Sequence, residues 1–124
     1  MTAGTLVVVV GAGTPLADGI ADRLGARGAA VTSLAAAEDP GPLVAAARER
    51  AGDRAVAAVL HAGLAPATAT PLAELTAEVW RDRAARPIDA ALATARAGFE
   101  LMATGDGRTG RGGTLGFVCP TVAI

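Results

Sequence analysis

The 124-residue chain is 52% hydrophobic with a mean hydropathy of +0.42, and only 2% of it is aromatic. It is large enough to bury one core and implies one domain over residues 1–124. A net charge of −1 and a pI near 5.7 exclude the clustered positive surface that nucleic acid requires.

In chain order, Thr5–Val10 is a β-branched apolar run ended by Gly11, the pattern of a strand buried on both faces. A helix follows over Pro15–Ala26, with Leu16, Ile20 and Leu24 expected on one face and Gly28 as its stop. Residues 29–34 read as a second strand. Asp39, Pro40, Gly41 and Pro42 form a turn that opens a helix reaching about Arg50 and closed by Gly52. Residues 55–60 give a third strand, and Pro66 and Pro71 mark the loop after it. The pattern is helical from about 72 to 102, with a break expected at Pro87. Its second half carries an apolar stripe of Ile88, Leu92, Ala95, Phe99 and Met102. A glycine-rich loop over 105–113 leads to a last strand over 114–119.

Strand and helix alternate, which predicts an α/β fold: a Rossmann-like, doubly wound parallel sheet of about four strands in the order 2-1-3-4. The chain ends on strand-like residues with no closing helix, so the expected sheet is a truncated one. No apolar run is long enough to span a bilayer and no charged leader opens the chain, so a soluble, cytoplasmic protein is expected. The single cysteine, Cys119, fits a reducing compartment and cannot form an internal disulfide. One His and one Cys cannot build a structural zinc site, and no metal is expected.

The first turn reads Gly11-Ala12-Gly13-Thr14-Pro15-Leu16-Ala17 between a buried strand and an amphipathic helix. Glycines there let backbone approach a pyrophosphate, and the helix start offers free N–H groups and a positive dipole end. The candidate cofactor-binding residues are Gly11, Gly13, Thr14 and Leu16, with Ala62 and Gly63 at the end of the third strand. The alternative is a tight βα turn that holds no ligand.

These segments together resemble the N-terminal half of the short-chain dehydrogenase/reductase family. Val10 to Ala17 resembles its glycine turn, and Leu60-His61-Ala62-Gly63 resembles its Asn-Asn-Ala-Gly. Trp80 falls where the family often carries a tryptophan at the start of its long crossover helix. Gly113 to Pro120 is similar to the strand that ends at the catalytic serine. The resemblance runs through nearly the whole chain, in order, although no single motif is intact.

The departures bear on function. The family's second and third glycines fall on Pro15 and Ala17, its helix asparagine on Pro87, and its serine on Cys119 or Pro120. No acidic or basic residue near Leu34 and Ala35 stands where the family reads the ribose. The family's Tyr-x-x-x-Lys has no counterpart, because the 124 residues contain neither Tyr nor Lys. The resemblance therefore implies weak or absent NAD(P) binding and a non-catalytic subunit. Such a pseudoenzyme would form a homo-oligomer, or a hetero-oligomer with a full-length relative, through the helix over 72–102. The first alternative is a small enzyme of another class, with His61 and Cys119 as catalytic candidates in the crevice. The second is an oxidoreductase completed in trans by a partner that supplies Tyr and Lys. The bland reading of the same pair is that His61 caps a strand and Cys119 packs as a small apolar residue.

Overall fold

The computed structural model describes residues 4–63, 71–104 and 113–118. Its core is a four-stranded, all-parallel sheet in the order β2-β1-β3-β4, with β1 at Thr5–Val10, β2 at Val31–Leu34, β3 at Ala55–His61 and β4 at Thr114–Phe117. Helix α1 (Pro15–Ala26) covers one face; α2 (Pro40–Ala51) and α4 (Arg86–Thr104) cover the other. This is the doubly wound, Rossmann-like arrangement that the alternation of elements predicts.

β1 is central because both of its faces are apolar. Leu6, Val8 and Val10 point toward α2 and α4, and Val9 packs with Ala17 of α1 on the opposite face. Pairing of β1 with β3 runs from Thr5↔Ala55 to Val10↔His61, with a register shift at Leu6/Val7 that leaves Ala57 as the extra residue of β3. Beyond the shift, Val59 and His61 share the α2/α4 face with Val8 and Val10.

The helix boundaries follow from their caps. Thr14 is the N-cap of α1: its hydroxyl oxygen accepts the Ala17 N–H at 3.3 Å, and Pro15 occupies the first helical turn. Asp39 caps α2, its carboxylate accepting the Gly41 N–H at 3.0 Å. At the other end of α2, Arg50 crosses to β2 and donates to Thr32 Oγ1 at 3.0 Å and to the Ser33 carbonyl at 3.3 Å.

Several details differ from the sequence expectation. α1 turns Ala17, Ile20, Ala21 and Leu24 toward the sheet and leaves Leu16 exposed. β2 begins at Val31 rather than at residue 29, because the chain leaves α1 through Gly28 at φ 90° and enters the sheet late. β3 extends one residue further, to His61. β4 covers Thr114–Phe117 rather than 114–119; Cys119 and Pro120 lie outside the described residues, as does most of the expected 105–113 loop.

The expected helix over 72–102 is divided differently as well. A 3-10 turn at Leu72–Glu74 precedes the one-turn helix α3 (Ala77–Trp80), a π-helical turn at Arg81–Ala85 and then α4. Pro87 does not break the helix. Proline lacks the N–H that would bond the Arg83 carbonyl and its ring crowds that carbonyl. The turn just before it widens, so that the Arg86 N–H reaches the Arg81 carbonyl five residues back. Arg81, Arg83 and Arg86 are solvent-exposed, with Arg86 paired to Asp82 at 2.9 Å and to Glu38 at 3.8 Å.

The structure decides which side of α4 meets the sheet. Ala93, Thr94, Ala97 and Leu101 are buried there, together with Gly98. Gly98 sits so close that an added Cβ would stand 3.0 Å from Leu115 Cδ1 and 3.5 Å from Val59 Cβ. Of the apolar stripe, Met102 packs against the core, while Ile88 is 63% exposed, Leu92 50% and Phe99 70%. Small residues face in because α4 lies close to β3 and β4, and the bulky ones have room only outside.

Candidate functional site at the carboxyl edge of the sheet

The C-terminal ends of β1, β2 and β3 bring Gly11, Leu34 and His61 to one edge, the position at which open α/β sheets bind ligands. Two turns meet there. Gly11 has φ 128° and is buried, and an added Cβ would lie 2.7 Å from the Gly63 nitrogen and 2.8 Å from the Gly63 Cα. The Thr14 hydroxyl closes the contact by donating to the Gly11 carbonyl at 2.9 Å, with the Ala62 carbonyl 3.3 Å away. Of the six cofactor-site candidates, Gly11, Thr14, Ala62 and Gly63 therefore meet, whereas Gly13 is exposed with open space around it and Leu16 lies exposed on the first turn of α1.

The donors of this turn are largely committed. The Gly11 and Ala12 N–H groups bond the Leu34 carbonyl at 2.7 and 3.0 Å, and the Thr14 N–H bonds the Gly11 carbonyl at 3.1 Å. Gly13 donates to the Asp18 carboxylate at 3.3 Å, Ala17 donates to Thr14, and Pro15 has no N–H to give. Only the Leu16 N–H remains for a ligand among the described donors of the turn. Asp18 also places a negative charge at the positive end of α1, where a pyrophosphate would sit. After β2, the first ionisable side chains are Glu38, which is paired with Arg86, and Asp39, which caps α2. Titration with NADH or NADPH is therefore expected to give no saturable heat below millimolar concentration. A micromolar dissociation constant by calorimetry would overturn this expectation.

His61 stands at the end of β3 with its ring on the α4 face, its Cε1 3.6 Å from where a Gly63 Cβ would lie. It is fully buried, and its Nδ1 lies 2.7 Å from Thr94 Oγ1. Thr94 has one hydroxyl proton, and that proton is directed to the Ala90 carbonyl at 3.0 Å. The Thr94 oxygen then accepts from His61, which places the imidazole proton on Nδ1 and leaves Nε2 as a bare lone pair. Nε2 is buried without a hydrogen-bond partner. Burial pushes the His61 pKa below its ordinary value, because a charged ring would lose its hydration there. Phe117 of β4 tilts against the ring at a centroid distance of 5.9 Å. Cys119, the other catalytic candidate, lies outside the described residues, so their distance is not part of this geometry.

Sequence reasoning singled out His61 but missed Thr94 and Asp18. Thr94 is the lone hydroxyl on a helix face otherwise built of Ala93, Ala97 and Leu101, and that break in an apolar face was the available signal. Asp18, an acidic residue in a first turn, is ordinary for a helix start and gave no warning that it would meet Gly13.

Among the described residues, no three His, Cys, Asp or Glu side chains come together as a metal site, and no helix is long and apolar enough to cross a membrane. No protein-family model, no curated protein and no solved structure matches the chain.

Proposed function

We propose that the chain is a non-catalytic, short-chain dehydrogenase/reductase-like subunit, a pseudoenzyme that acts by associating with another protein chain through α4. The observation that carries this reading is the packing of that helix: Ala93, Thr94, Ala97, Gly98 and Leu101 cover the sheet, while Ile88, Leu92 and Phe99 lie largely in solvent. Ile88, Leu92 and Phe99 are 50–70% exposed, so each forgoes roughly half to two thirds of the about 1.5–3 kcal/mol that full burial would supply. A contiguous apolar strip on a 124-residue chain is the mark of a contact surface.

The carboxyl edge supports the non-catalytic half of the reading. Its helix N-terminus is filled by the turn's own bonds and by Asp18. The sequence offers no Tyr or Lys for the family's proton relay. His61, whose pKa burial lowers, has no exposed atom with which to meet a substrate. A full-length dehydrogenase/reductase and a second copy of the chain are the two partners that the resemblance suggests. The lone cysteine fits a cytoplasmic setting for either.

Incubation with NADH or NADPH and a panel of ketones is expected to show no oxidation above buffer. Size-exclusion chromatography with light scattering is expected to show an assembly that Phe99→Glu dissociates while the circular dichroism spectrum persists. Turnover that His61→Ala abolishes would favour the small-enzyme alternative. A monomer at high concentration that co-purifies with no other protein would remove the subunit reading.

A further inference from the structure

The outer surface of α1 has two unlike flanks. By helical spacing, Leu16, Ile20, Arg23 and Arg27 fall on one of them and Asp18 and Asp22 on the other. The first flank is hollow. Pro15, Leu16, Gly19, Ile20 and Arg23 line an open groove of about 470 Å³, within the range of ligand-sized clefts. Gly19 leaves its middle empty, since an added Cβ there would meet nothing within 4 Å. The groove is apolar toward the start of α1 and positive toward its end. Among the described residues, neither Arg23 nor Arg27 takes part in an ion pair.

The segment ahead of the π-helical turn has the complementary character. Leu72, Leu75 and Trp80 are exposed, and none of the side chains over 72–80 is buried. Thr76 is the N-cap of α3. Leu75 just before it and Trp80 one turn later therefore hold the two positions whose apolar side chains lie together at a helix start. Glu74 and Glu78 stand beside them, exposed and without an ion pair among the described residues.

We propose that this segment docks into the α1 groove of a second copy of the chain. Leu75 and Trp80 enter over Gly19, and Glu74 and Glu78 meet Arg23 and Arg27. The contact is separate from the α4 surface invoked above and does not depend on it.

Charge complementarity selects the occupant. The positive end of the groove carries two unpaired guanidinium groups, the segment carries two unpaired carboxylates, and the acids of α1 itself lie on its far flank. The apolar parts match as well, with a large aromatic side chain set against a cleft that has no side chain at its middle. The chain does not fill its own groove. Its segment leads into α4 on the opposite face of the sheet from α1, and groove and segment both stand open in one molecule. Because the segment holds no core side chain, it can be offered to a neighbour with the sheet intact.

Trp80 is the only tryptophan of the 124 residues, so its emission reports the contact directly. In the intact chain the emission is expected to move to the blue as concentration rises and to return on dilution. Gly19→Leu fills the groove without meeting a neighbour, and is expected to abolish the shift while the circular dichroism spectrum and melting temperature persist. Arg23→Glu and Glu78→Arg are each expected to weaken the association about fivefold. An equimolar mixture of the two is expected to regain the parent's affinity, because each groove then finds a segment of opposite charge. Phe99→Glu, which removes the α4 contact, is expected to keep the shift.

Emission that does not move with concentration, whether red or already blue, overturns the docking. So does an undiminished shift in Gly19→Leu, or a mixture no tighter than the single variants. A shift that Phe99→Glu abolishes belongs to the α4 contact and overturns it as well, while leaving the subunit reading in place.

Discussion

Replacing Gly11 by alanine is expected to cost about 2–6 kcal/mol, a large share of the about 5–15 kcal/mol that holds an ordinary domain together. Two independent effects add at this residue. Its φ of 128° strains any L side chain, at about 1–3 kcal/mol. The new methyl would also meet Gly63 and Ala62 backbone atoms at 2.7–2.9 Å, an overpacking cost of similar size. Neither wall can retreat. The Gly11 N–H is bonded to Leu34 at 2.7 Å, and the Ala62 N–H is bonded to Val10 at 2.9 Å. Gly13→Ala is the control. Gly13 has φ 95° but open space around a Cβ, so only the backbone effect applies, about 1–2 kcal/mol. Urea unfolding of both variants measures the difference, and equal losses would show that the approach of the two turns is not a tight one.

The second large effect is pH-dependent. The His61 pKa is lowered on folding, so the unfolded chain binds its proton more readily than the folded one. The contribution of neutral, buried His61 is therefore fully present above about pH 6.5, the unfolded value, and is lost as the pH falls below it. Within that window the loss deepens as the pH falls, with a slope of at most about 1.4 kcal/mol per pH unit for one proton, since a protonated Nε2 would have no acceptor for its N–H inside the core. Unfolding free energies between pH 7.5 and 5.5, above most carboxylate titration, measure this slope. His61→Leu is expected to flatten it while keeping the core filled. Thr94→Val is expected to destabilise the chain by about 1–3 kcal/mol at pH 7.5, because it strands the Nδ1 proton. A His61→Leu variant with the parent's slope would place the proton uptake elsewhere.

Much of the fold was legible because its signals are large. The unbroken run Thr5–Val10 could only be a strand with both faces covered, and Gly11 after it could only be a turn. Alternation with helices then determined the parallel sheet and its strand order. The direction of α4 was not legible. Hydrophobic periodicity weighs side chains by size and so selects Ile88, Leu92 and Phe99, whereas the sheet takes Ala93, Thr94 and Ala97. A helix with two apolar faces of different bulk gives no local sign of which one turns inward, because that depends on how near Val59 and Leu115 approach. The π-helical turn was missed for a related reason: Pro87 announces a disturbance, but the bond it displaces lies in the turn before it. At the candidate site, the glycines and His61 were visible from spacing and strand-end position. The link from His61 to Thr94 spans 33 residues and exists only once α4 is laid on β3.

The same π-helical turn separates two parts of the chain that contribute very unequally to the cooperative unit. Downstream, α4 is held by its buried face, and its amides are protected to the extent that the whole domain is. Upstream, the 3-10 turn, α3 and the π turn itself contain no buried side chain, and Leu72 and Trp80 are wide open to solvent. Detaching that stretch uncovers almost no core, so its opening free energy is a small fraction of the global one. Arg81–Ala85 is thus a natural boundary for local unfolding: the segment before it can exchange its amide hydrogens, or be cut by a protease, while the sheet and α4 remain assembled.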